Sequence, residues 1–180
     1  ILAFYGDYNI KQLYSGGFAR TEFSKATLEK TEFLYYKEGI HATIAVTKDP
    51  LEGAIVLLVN GKGQGSTAFQ DFRINLLLAY LPKLLKQEIN KALVIGLGTG
   101  TTSGHLSTLS KKVTTVEIEP AVIEASNYFK SFNLNVLNNQ NHDLVIEDAR
   151  NYLFKNKEKY DVIAAELNDP WYSFSTNLYS

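Results

Sequence analysis

Gly96, Gly98 and Gly100 stand in LVIGLGTGTTSG (93–104), at the end of an apolar run and ahead of a helix-like segment. Glycine at a strand-to-helix turn lets backbone N–H groups approach a ligand with no side chain in the way. The spacing is G-x-G-x-G rather than the G-x-G-x-x-G of dinucleotide sites. It points to a nucleoside with a charged tail, as in S-adenosylmethionine, although a tight turn of any doubly wound fold has the same composition. Glu117 ends the next apolar run, VTTVE, about twenty residues on, where a carboxylate can accept both hydroxyls of a ribose. It is also an acid just ahead of Glu119-Pro120, and acids favour helix N-termini for their own sake.

Asp148 opens DARNYLF after a third apolar run. It can cap the helix that follows, or accept a proton from an adenine amino group, and its two oxygens allow both. A fourth run, YDVIAAEL, leads into Glu166 and Asp169, two carboxylates three residues apart that could hold a cationic amine and take its proton. Asp before Pro170 is equally at home in a polar turn. Gln64 and Ser66 lie in VNGKGQGST, which by itself reads as a glycine-rich turn. Of the three histidines, His105 reads as a surface residue, and His41 and His142 carry no role.

These residues need a scaffold. Residues 32–60 contain three Tyr-, Val-, Ile- and Thr-rich runs broken by Gly39, Asp49-Pro50, Gly53 and Gly61, which predicts a three-stranded antiparallel meander. AFQDFRINLLLAYLPKLL (68–85) has helical spacing, ended or kinked by Pro82. Strand and helix then alternate, with the last strand followed by a loop and an Asn-rich loop at 133–141. Near-continuous apolar strands between helices predict a parallel sheet covered on both faces.

Composition sets limits. The chain has 180 residues, 45% apolar and 21% charged, with 18 Lys and Arg against 19 Asp and Glu and a net charge of -1. That balance supports neither nucleic-acid binding nor contact of this segment with an anionic membrane. With no cysteine and three scattered histidines, no metal site is expected. No run approaches the roughly 18 apolar residues of a membrane helix. The absence of methionine, even at position 1, leads us to expect a fragment or processed piece of something longer.

With these residues placed, the chain resembles the polyamine synthase family, the spermidine and spermine synthases. It is most similar to the bacterial spermidine-synthase-like branch often joined to membrane-embedded segments. FLYYKEGIHATIAV, LLVNGKGQGST, LLLAYLP, ALVIGLGTGTTSG, TTVEIEPAVIEAS, IEDARNYL and ELNDPW fall in the family's order. The fold implied is α/β, a Rossmann-like doubly wound, mainly parallel sheet of the S-adenosylmethionine-dependent methyltransferase type. A small antiparallel β subdomain precedes it, with residues 1–66 in the first unit and 67–180 in the second. The family's sheet has seven strands, so this one is expected to be truncated.

The resemblance implies aminopropyl transfer from decarboxylated S-adenosylmethionine, a co-substrate rather than a tightly bound cofactor, to a diamine such as putrescine. By position, Gln64 matches a glutamine that contacts the nucleotide substrate, Glu117 the ribose-binding acid, and Asp148-Ala149 the adenine-binding pair. Glu166 matches the aspartate that deprotonates the amine, and Asp169 an acid that helps hold the diamine. Two positions depart: Thr99 replaces an aspartate that holds the ammonium of the donor's tail, and Glu166 is longer than the usual Asp. The same loop and acids would serve an S-adenosylmethionine-dependent methyltransferase, or a non-catalytic nucleoside-binding domain of a larger membrane protein. The family further implies a cytoplasmic location, in some members as the soluble domain of a membrane-anchored protein, and dimers formed through the amino-terminal strands.

Overall fold

The computed structural model describes residues 30–165. Glu166 and Asp169 lie outside the described residues. An antiparallel sheet comes first: β1 (Glu32–Glu38), β2 (Thr43–Lys48), β3 (Ile55–Val59) and β4 (Lys62–Ser66), paired in that order. The expected meander of three strands is therefore one strand short. Asn60 and Gly61 both take positive φ, 50° and 81°, which is the two-residue turn that returns a hairpin. The supposed glycine-rich turn beyond it is β4.

After α1 (Phe69–Leu85) come β5 (Ile89–Ile95), α2 (Thr101–Leu109), β6 (Ser110–Glu117), α3 (Pro120–Ser126), β7 (His142–Ile146), α4 (Ala149–Lys155) and β8 (Val162–Ala165). Short 3-10 turns at Asn127–Phe129 and Val136–Asn138 break the connection from α3 to β7. Pro82 does not end α1: the helix runs to Leu85, and the Pro82 carbonyl accepts from Lys86 N–H at 2.9 Å.

The four later strands are parallel in the order β7-β6-β5-β8. Ala92 and Val94 of β5 face a core with Ala79 of α1 and Leu106 of α2; Leu93 and Ile95 face Val116 and Ala149 on the other side. Alternate residues thus bury both faces, the reason Ala92–Ile95 of β5 is apolar without a break. Burying one such leucine contributes about 1.5–3 kcal/mol. Among the described residues no helix is long and apolar enough to cross a membrane.

The two sheets share a core. Ile44, Val46 and Leu57 of the antiparallel sheet pack with Leu97, Ala121, Val122, Ala125 and Phe129. At the rim of that contact, Tyr35 donates to the Glu124 carboxylate at 2.8 Å and Lys37 pairs with the same group at 2.5 Å. Both are solvent-exposed and add little; the apolar contact holds the sheets together.

Candidate functional site

Strand register sets the site. Ile95 pairs with Val116 on one side and Ala165 on the other, and Glu117 pairs with Ile146, so the strands' carboxyl ends are level. In open parallel sheets this edge, where strand order reverses beside the first strand, is where ligands bind.

Gly96, Gly98 and Gly100 all have positive φ, at 84°, 54° and 81°, and their surroundings divide them. Among the described residues, a Cβ on Gly96 or Gly98 would meet nothing within 4 Å, so these two present bare backbone to open space there. Gly100 is packed: a Cβ there would lie 3.0 Å from both the Asn133 carboxamide and Val136. The loop then runs into the N-terminus of α2, whose aligned amides carry partial positive charge.

Glu117, 7% exposed, faces this loop. Its Oε2 accepts from Leu97 N–H at 2.8 Å and its Oε1 from Glu119 N–H at 2.9 Å. Burial pushes its pKa up, the Glu119 charge adds to the rise, and the backbone donors of Glu119, Leu97 and Ile118 oppose it. Each oxygen keeps further lone-pair capacity for a ligand hydroxyl. Glu119, two residues on, caps α3 through Ala121 N–H at 2.9 Å. Burial would raise its pKa, but the amides of Ala121, His41 and Ala42 outweigh that and hold it below the usual range.

Asp148 ends the neighbouring strand connection, and the chain beside it is tied to Glu117 by Glu147 N–H donating to the Glu117 carbonyl at 3.1 Å. One Asp148 oxygen caps α4, accepting from Asn151 N–H at 3.0 Å. The Ala149 side chain lies in the core with Leu93, Ile95 and Val116, so any contact it makes with a ligand goes through backbone.

Gln64 sits in a bulge of β4: Gly63 pairs with Leu58 and Gly65 with Leu57, leaving Gln64 as the extra residue. Bulges re-aim side chains beside functional sites. The same strand reaches the glycine loop, because a Cβ on Gly65 would come within 3.0 Å of the Thr99 methyl. Thr99 is buried, and its hydroxyl bonds that of Thr101 at 2.9 Å. Behind β4, Ser66 donates to Asp71 at 2.6 Å, and on α1 Asn75 accepts from Thr102 of α2 at 3.0 Å.

Three supporting side chains escape sequence reading. Asn133, in the Asn-rich loop, donates to the carbonyls of Thr99 and Ser126, each at 2.9 Å, while its Oδ1 is buried with no partner among the described residues. His142 begins β7 instead of lying in the loop, and bonds the Thr115 hydroxyl, which bonds Ser103 of α2, both at 2.8 Å. His105 is half-buried rather than on the surface. Its Nε2 donates to the Phe132 carbonyl at 3.2 Å and its Nδ1 lies 3.1 Å from the Tyr80 hydroxyl; burial lowers its pKa.

This geometry can be set beside known proteins. Residues 71–180 match the spermine/spermidine synthase domain. The polyamine aminopropyltransferase of Sulfurisphaera tokodaii is 29% identical over 153 residues, covering 78% of this chain and 51% of the relative. That of Serratia proteamaculans is 28% identical over 140 residues, covering 76% and 48%. A crystal structure of spermidine synthase in complex with the transition state analogue AdoDATO superposes with a TM-score of 0.74 at 24% identity, covering 83% of this chain and 51% of that one. The spermidine synthase of Thermotoga maritima gives a TM-score of 0.68 at 25% identity, with 76% and 48% covered. The chain thus spans about half the length of the relatives it matches.

Proposed function

The chain belongs to the spermine/spermidine synthase domain family, and from that premise we propose that it carries the nucleoside-binding part of an aminopropyltransferase. The donor is decarboxylated S-adenosylmethionine and the acceptor a diamine such as putrescine. The observation that carries this reading is Glu117, fixed by Leu97 N–H beside the bare backbone of Gly96 and Gly98.

The chemistry is a displacement. A neutral amine nitrogen attacks the aminopropyl carbon next to the sulfonium. The C–S bond breaks, its electron pair returns to sulfur, and methylthioadenosine leaves as a neutral thioether. A diamine carries ammonium groups with pKa values near 10, as lysine does, so one proton must be removed first. In this reading Glu166 takes that proton and Asp169 holds the other end of the diamine. Glu117 accepts the ribose hydroxyls, Asp148 and the Ala149 backbone meet the adenine, Gln64 reaches in from its bulge, and Gly96, Gly98, Thr99 and Gly100 line the path of the tail.

Residues 1–66 and 67–180 are taken as an amino-terminal β-rich unit and a nucleoside-binding unit. Self-association through the first unit and a cytoplasmic location belong to the same proposal. A monomeric mass at micromolar concentration would contradict the first of these.

Thr99 favours a second reading. Its hydroxyl is turned to Thr101 and supplies no charge for an ammonium tail, which suits a domain that binds nucleosides without transferring the aminopropyl group. Calorimetry on the full protein separates the cases, using decarboxylated S-adenosylmethionine, methylthioadenosine, S-adenosylmethionine and S-adenosylhomocysteine. Tighter binding of the first two with turnover of putrescine supports transfer, and Glu166→Gln should then abolish turnover while leaving binding intact. Tighter binding of the last two indicates methylation. Binding without turnover leaves the second reading.

A further inference from the structure

Glu119 does more than a helix cap requires. A cap needs one acceptor oxygen, and the residues that cap best are the short ones, Ser, Thr, Asp and Asn. Here Oε1 caps α3 through Ala121 N–H, while Oε2 reaches the turn between β1 and β2 and accepts from His41 N–H at 2.7 Å and Ala42 N–H at 3.3 Å. Gly39 closes that turn with its N–H on the Ala42 carbonyl at 2.9 Å. A Cβ at Gly39 would overlap the Glu119 carboxylate, so the turn is shaped around this group. Gly39 does not have a positive φ, so the space taken by the carboxylate, and not the backbone conformation, is what demands glycine here.

The backbone of the same residue faces the site. Glu119 N–H donates to Glu117 Oε1 at 2.9 Å, and Leu97 N–H holds the other oxygen at 2.8 Å. A continuous chain of hydrogen bonds therefore runs from the antiparallel sheet, through the Glu119 side chain and main chain, to the Glu117 carboxylate and the glycine loop.

We propose that Glu119 is a positioning residue: gripped by the turn between β1 and β2, it fixes the amide that aims the Glu117 carboxylate, so the antiparallel sheet sets the geometry of the nucleoside site. The inference rests on the reading of Glu117 as the nucleoside-binding acid, and it assigns the first sheet a part in binding that no contact with the ligand is needed to explain.

The test perturbs the link from both ends in the full chain. Glu119→Ser keeps a good cap on α3 but is too short to reach the turn. Gly39→Ala keeps Glu119 and pushes its carboxylate away, and it serves also where Glu119→Ser lowers folding. Methylthioadenosine affinity is measured by calorimetry for both variants and for Glu117→Gln, and amide hydrogen exchange is followed at Leu97 without ligand. Each of the first two variants should weaken binding about tenfold, the scale of one charge-assisted hydrogen bond, and speed Leu97 exchange. Wild-type affinity in both variants, or weaker binding with Leu97 exchange unchanged, overturns the inference. If Glu117→Gln binds as the wild type does, the nucleoside reading of Glu117 fails instead, and Leu97 exchange alone still decides whether Glu119 positions it.

Discussion

The Asn133 carboxamide donates to the Thr99 carbonyl at 2.9 Å and, with its other hydrogen, to the Ser126 carbonyl. One buried side chain thus joins the glycine loop to the end of α3. Asn133→Leu would leave the Thr99 carbonyl without this donor and strip one of the donors from the Ser126 carbonyl, which also begins the 3-10 turn Asn127–Phe129. The loss is about 1–3 kcal/mol for the buried acceptor left unpaired. Urea unfolding should show that loss, and adenosine ligands should bind more weakly in the fraction that remains folded. Wild-type stability would mean that the Thr99 carbonyl finds another donor.

Glu117→Gln tests the site itself. One oxygen remains for Leu97 N–H or Glu119 N–H, and an amide NH2 faces the other donor. Methylthioadenosine affinity should fall by about 1.5–3 kcal/mol, the value of a hydrogen bond to a charged group. Stability should change less, because the substitution also removes a charge that burial disfavours. Unaltered affinity in calorimetry would remove Glu117 from the site.

Two glycines should respond in opposite ways to alanine. At Gly98 the space is open, so Gly98→Ala costs only the left-handed backbone, about 1–2 kcal/mol, and places a methyl where the ligand approaches. At Gly104 a Cβ would overlap the Asn133 backbone carbonyl, which forces α2 away from the loop after α3. Thermal denaturation and ligand titration should separate them: Gly98→Ala mainly loses binding, Gly104→Ala mainly loses stability.

The fold carries a pH dependence through His142. Burial lowers its pKa to about 4 from an ordinary 6.5. The unfolded chain therefore takes up a proton before the folded one does. The contribution is complete above about pH 6.5 and is lost as pH falls through 4, with a full extent of about 3 kcal/mol. Glu117 has the opposite sign: its pKa is raised, so it favours the folded state at lower pH and that advantage fades as pH rises. Comparing wild type with His142→Gln between pH 4 and 7 isolates the histidine. An identical slope in both would show that His142 stays neutral in the unfolded chain too, or protonates freely in the folded one.

The parallel sheet is legible because short runs apolar on both faces, such as Ala92–Ile95, alternate with helix-like segments, whereas the equally apolar β3, IVLLV, has no helix on either side of it within the meander. The position of Gly96, Gly98, Glu117 and Asp148 at the sheet's carboxyl edge is legible for a related reason: Glu117 ends β6, and the other three follow the ends of β5 and β7 within three residues. β4 was missed although Asn60-Gly61 announces a hairpin, because Lys62, Gly63, Gln64 and Gly65 lack the branched and aromatic side chains of a strand. Asn133 and the bonded His142, Thr115 and Ser103 left no local signal, since each acts on a partner many residues away. That Gly39 answers to Glu119 is of the same kind: a glycine in a turn has many causes, and only the packing says which.

The Glu119 contact with His41 spans 78 residues of sequence. At the usual 5–20 residues per second of synthesis, the turn between β1 and β2 is made roughly 4 to 16 s before its carboxylate partner. Ile44, Val46 and Leu57 lack the cover that α3 gives them in the folded protein until α3 has been made. Nascent chains of this protein should therefore need a chaperone or slow local pairing at the stage when β3 and β4 have emerged and α3 has not.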